Sequence, residues 1–123
     1  SNYTVNDIKM KTSYLYLTDF GISNLPEVIS GIELELNMRR GGRITDDTIQ
    51  LCSQAQAIGK NQATDTLENV KKFGGETDLW EIDNLTAELL TDSSFGLHIR
   101  FQSHPFWPHR ETPMINYARL RVW

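Results

Sequence analysis

Cys52 is the chain's only cysteine. No disulfide can close within the chain, so packing has to hold the fold, in a reducing cytosol or in a cysteine-poor extracellular particle alike. No apolar run approaches the ~20 residues of a membrane-spanning helix. The opening SNYTVNDIKM has neither the basic start nor the apolar centre of a secretory signal. Lysine and arginine are scattered and the net charge is −4, the wrong balance for a broad nucleic-acid face. The short words of catalysis are missing too: G-x-S-x-G, H-E-x-x-H and the P-loop do not occur. Ser, His and Asp are present, but no spacing singles out a triad. The expectation is a protein that is not an enzyme, takes no cofactor, binds no nucleic acid and does not insert into a membrane.

What the chain has in quantity is alternation. In GIELELNMR, Ile32, Leu34, Leu36 and Met38 alternate with Glu33, Glu35, Asn37 and Arg39. That period of two lines one face of a strand and would smear around a helix, so it predicts a half-buried antiparallel strand. YARLRVW repeats it, with Ala118, Leu120 and Val122 on one face and Tyr117, Arg119, Arg121 and Trp123 on the other. FGLHIRF places Phe95, Leu97, Ile99 and Phe101 inward and His98 and Arg100 outward. SYLYLTDF and DTIQLCS predict further strands. Turn signals fall between these runs at Gly41-Gly42, Gly59 with Asn61, Gly74-Gly75 and 91–94. Helix is scarce. LTAELL (85–90) offers one turn with Thr86 as N-cap, and the β-rich context favours an irregular strand for NQATDTLENVKKF. Short strands joined by Gly- and Asp-containing turns point to an all-β fold, an antiparallel β-sandwich of jelly-roll type with at most one short helical turn. The 123 residues fit one domain, 1–123, with 1–11 as a lead-in segment that reads as the cut edge of a longer chain.

Five words recur along this frame: I-x-G-I at Ile29–Ile32, D-x-x-x-x-L at Asp46–Leu51, a glycine before D-L-W at Gly75–Trp80, S-F-G-L at Ser94–Leu97 and N-Y-x-x-L-x-V at Asn116–Val122. Their order, over about 12–123, resembles a β-sandwich module of bacteriophage virion and tail proteins, seen also in some bacterial surface proteins. The sequence departs from that pattern at Glu81, where the module has glycine after the tryptophan, and in the loop 102–114, which is more aromatic. The resemblance implies a structural role in a tail fibre, tail tip or capsid decoration. It places the protein in the virion, made in the host cytoplasm, docked to copies of itself (a trimer in fibres) or to other virion proteins, and serving host attachment.

Two groups of residues stand out. Gly74 and Gly75 are expected to take positive φ and bring backbone close to the sheet, with Trp80 folding back over the rim as a plug against Phe95 or Leu97. Gly96, inside a strand pattern, suggests a bulge or a place where Trp80 crosses the backbone. The second group is the proline-stiffened loop FQSHPFWPHRE, with His104, Phe106, Trp107, His109 and Arg110. Its aromatics have three uses: packing on their own sheet, contacting a neighbouring subunit, or stacking on a sugar while Arg110 bonds hydroxyls or a carboxylate. The sugar-stacking use makes a carbohydrate-binding module for a host surface glycan the alternative function. His98, His104 and His109 match no zinc spacing. Asp46, Asp47, Glu76, Asp78, Asp83 and Asp92 read as solvated turn caps without the D-x-D-x-D-G loop of a calcium site, so no metal is expected. RRGGR (39–43) reads as a charged hairpin turn.

Overall fold

The computed structural model describes residues 10–11, 14–39, 44–66, 68–103 and 113–123. The alternating runs form the strands. They are β1 (Met10–Lys11), β2 (Leu15–Thr18), β3 (Ile32–Arg39), β4 (Ile44–Ser53), β5 (Gln56–Ile58), β6 (Val70–Gly74), β7 (Gly96–Ser103) and β8 (Met114–Val122). One helical turn, α1 (Ala87–Thr91), precedes β7; Thr86 caps it, its hydroxyl accepting from the Leu89 amide at 3.2 Å. The β-rich context favoured an irregular strand for NQATDTLENVKKF; only its end, from Val70, enters a strand, β6, and 61–66 and 68–69 lie outside any regular element.

The strands make two antiparallel sheets. In the first, β1 and β2 lie along one side of β7, β4 lies on its other side, and β5 follows β4. The second has the order β6-β3-β8. The chain crosses between sheets at nearly every step, which gives the all-β sandwich of jelly-roll type that the pattern predicts. Bulges interrupt the ladders at Asn37/Met38 and Asp46/Thr48.

The inner faces supply the core. Ile32, Leu34, Leu36 and Met38 share one buried cluster with Ile49, Leu51, Leu97, Ile99 and Phe101, completed by Ile44, Phe73, Trp80, Leu90 and Phe95. Full burial of one such side chain contributes roughly 1.5–3 kcal/mol. Asp46 and Asp47 fall within β4, and Asp46 is buried, which corrects their reading as solvated turn caps. Their bulge, not a turn, sets their direction.

Candidate docking site at the open edge of the second sheet

Among the described residues β8 is the outer strand of its sheet, and its hydrogen bonding follows from its register. Gly31 and Trp123 exchange both backbone bonds, at 3.3 Å and 2.9 Å. Antiparallel ladders alternate bonded and non-bonded pairs. In this register Glu33·Arg121, Glu35·Arg119 and Asn37·Tyr117 are then bonded pairs, and Ile32·Val122, Leu34·Leu120 and Leu36·Ala118 are not. The amides and carbonyls of Ala118, Leu120 and Val122 therefore point away from β3. Among the described residues they meet no backbone partner on that side. β3 differs: its Ile32 amide donates to Asp78 O at 2.9 Å and its Met38 amide to Asn69 O at 2.8 Å, so it is bonded on both flanks.

A cleft of about 480 Å³ runs along this open edge. Residues 20–25, the crossing from β2 toward β3, form one wall with Phe20, Ile22 and Leu25, and 118–122 form the other. The volume lies within the range of ligand clefts. Ala118, Leu120 and Val122 are only half-buried here, whereas their neighbours Ile32, Leu34 and Leu36 are fully enclosed.

The outer face of the same sheet carries paired charge. Glu35 accepts from Tyr117 Oη at 2.8 Å and lies 3.5 Å from Arg119 Nε, while Lys72 Nζ sits 4.0 Å from both Glu33 and Glu35. The Arg119 guanidinium covers the Tyr117 ring at 4.2 Å, and that of Arg121 covers Trp123 at 4.6 Å. Arg121 stands opposite Glu33 in register, yet among the described residues it forms no ion pair. The Arg119 side chain is 68% exposed.

The glycine-tryptophan turn braces the start of β3, beside this edge. Gly74 has φ +77°, and a Cβ there would overlap the Ile32 carbonyl and lie 2.5 Å from Trp80 Nε1. Gly75 does not share that conformation and has open space around it, which corrects the expectation for the second glycine. Its amide instead donates to Ile32 O at 3.0 Å. Trp80 is fully buried in the same core as Phe95 and Leu97, and its indole N–H also donates to Ile32 O, at 2.8 Å. Asp78 closes the turn by accepting from the Trp80 amide at 2.7 Å and from Gln62 Nε2 at 2.7 Å, with Lys60 Nζ 3.4 Å away. Burial works to raise the Asp78 pKa; the Gln62 and Trp80 bonds and Lys60 outweigh it and hold the carboxyl below its ordinary value. Trp80 and Glu81 both take left-handed backbone, at φ +56° and +55°. Gly96 meets the backbone of Leu17 on the adjacent β2, not Trp80, and no bulge falls there, so close strand approach is its reason.

His104, Phe106, Trp107, His109 and Arg110 lie outside the described residues. His98 faces outward as its alternation predicts, with its ring stacked on Tyr16 at 4.8 Å and tilted against Tyr14 at 4.2 Å. Among the described residues no three His, Cys, Asp or Glu side chains converge on a metal-sized site. The open edge itself was missed in the sequence. YARLRVW shows a strand with one apolar face but not which of its flanks is paired.

No family model, curated protein or solved structure matches the chain. The resemblance to phage virion modules rests on the sequence words alone.

Proposed function

We propose that this chain is a non-enzymatic docking module that joins other proteins through the open edge of β8. The observation that carries this reading is the row of amides and carbonyls at Ala118, Leu120 and Val122 that meet no backbone partner among the described residues, set along a cleft. An edge strand left open in this way is a template for another strand. The virion setting, in a tail fibre, tail tip or capsid decoration, and the role in host attachment come from the sequence resemblance. Self-assembly into a trimer belongs to the same reading.

Size-exclusion chromatography with light scattering tests it on the whole chain and on the double variant Arg119→Glu/Arg121→Glu. A trimer of ~42 kDa, three times the chain's 14.1 kDa, that the variant reduces to monomer supports docking through this edge. A trimer that the variant leaves intact assigns self-assembly to another surface and contradicts the reading.

A further inference from the structure

We infer that the strand taken by the β8 edge is an acidic one, in which apolar residues alternate with Asp or Glu, contributed by a sequence other than β8. The inference rests on the docking reading above and adds the chemistry of the partner.

Two observations select this occupant. The first is that β8 already holds such a strand on its paired flank. β3 reads Ile-Glu-Leu-Glu-Leu, placing Ile32, Leu34 and Leu36 over the core and Glu33 and Glu35 opposite Arg121 and Arg119. Each guanidinium on β8 stands over the strand's outer face, within reach of a cross-strand neighbour on either side. Arg119 is largely exposed and Arg121 has no carboxylate partner among the described residues, so both retain capacity for a second acidic neighbour. On the inner side, Ala118, Leu120 and Val122 are half-buried, and Phe20, Ile22 and Leu25 face them across the cleft. An incoming strand with apolar residues on that side extends the core and with carboxylates on the other side meets the arginines.

The second observation is that β8 itself, Met-Ile-Asn-Tyr-Ala-Arg-Leu-Arg-Val, carries no Asp or Glu, so β8 of another copy cannot supply the carboxylates. Two-fold pairings centred on Arg119, Leu120 or Arg121 also set arginine opposite arginine, and like charges directly opposite destabilise a ladder. An acidic occupant therefore comes from another sequence, and the interface is heterologous, a geometry that closes into rings or joins different proteins.

The jelly-roll order supports the placement. In a complete eight-stranded jelly roll the first and last strands are neighbours in one sheet. Here β1 and β2 both lie against β7 in the first sheet, and the outer flank of β8 in the second carries no strand among the described residues.

The test uses the intact chain and two synthetic peptides of about seven residues, an ordinary strand length. One alternates valine with glutamate and the other valine with lysine. Binding is read by fluorescence anisotropy, and β8 amide exchange by NMR. The acidic peptide is expected to bind about tenfold more tightly than the basic one, to weaken at high salt and to protect the Ala118, Leu120 and Val122 amides. Arg119→Glu/Arg121→Glu should reverse the preference. Swapping the peptides on the unaltered protein asks the same question without a variant. Equal binding of the two peptides, or binding of neither, overturns the acidic partner. In that case exposed β8 amides leave the docking reading standing, and amides already protected in the chain alone end it. A dimer paired through β8 overturns the inference directly.

Discussion

Lys71 Nζ lies 2.8 Å from Asp46 Oδ2, and the contact ties the two sheets together. Lys71 stands opposite Leu36 in register and so shares the inward face of β6 with Phe73, whose ring its ammonium approaches at 4.8 Å. Asp46 reaches it from the bulge in β4. The Thr64 and Thr66 amides donate to the same carboxylate at 3.2 Å and 3.1 Å, and the ammonium donates to both threonine hydroxyls. Both side chains are mostly enclosed, at 14% and 6% exposure. Removing one partner of such a pair leaves the other charge buried alone.

Lys71→Met should therefore destabilise the fold by about 3 kcal/mol in urea titration. The double variant Lys71→Met/Asp46→Asn should recover part of that loss, because no uncompensated charge remains. A loss below about 1 kcal/mol for the single variant would place the pair among ordinary surface bridges and contradict its inter-sheet role.

The two adjacent glycines should separate cleanly. Gly74→Ala meets the Ile32 carbonyl and the Trp80 indole, and forces a side chain into left-handed backbone that alone costs about 1–2 kcal/mol. Gly75→Ala meets nothing and should stay within about 0.5 kcal/mol of the parent. Trp80→Phe should lose about 1 kcal/mol through the indole bond, since Ile32 O keeps the Gly75 amide. Trp80→Ala should lose about 3–5 kcal/mol. Equal effects at the two glycines in thermal unfolding would contradict the described turn.

Acid should weaken the first sheet through His98. Its ring is buried against Tyr14 and Tyr16, neither ring nitrogen has a hydrogen-bond partner among the described residues, and Gln50 and Arg100 stand near it on β4 and β7. Burial first, and then the positive charge of Arg100, hold its pKa below the ordinary 6.5. The unfolded chain then takes up the proton before the folded one. The stability associated with His98 is complete above about pH 6.5 and is lost as pH falls below it. His98→Phe keeps an aromatic ring in the stack and should flatten this part of the stability–pH curve. An unchanged slope in the variant would assign the acid sensitivity elsewhere.

The sequence carried the fold further than it carried the site. Ile32 to Met38 and Tyr117 to Val122 declare their strands because period two is written in the residues themselves. Thr86 likewise announces its cap. What stayed hidden depends on partners distant in the chain. Glu35 shows no sign that it will face Arg119, and Asp46 none that a bulge will turn it toward Lys71. Gly96 reads as a bulge until the Leu17 backbone is seen against it. The open flank of β8 is hidden for the same reason, since an unpaired edge is a property of the sheet and not of the strand.

Residue-resolved amide exchange of β8 tests the central claim most directly. The account predicts alternation: slow exchange at Tyr117, Arg119 and Arg121, whose amides face β3, and fast exchange at Ala118, Leu120 and Val122, whose amides face the cleft. Uniform protection from Tyr117 to Val122 in the chain alone would mean that the edge is already paired, and the docking account would fail.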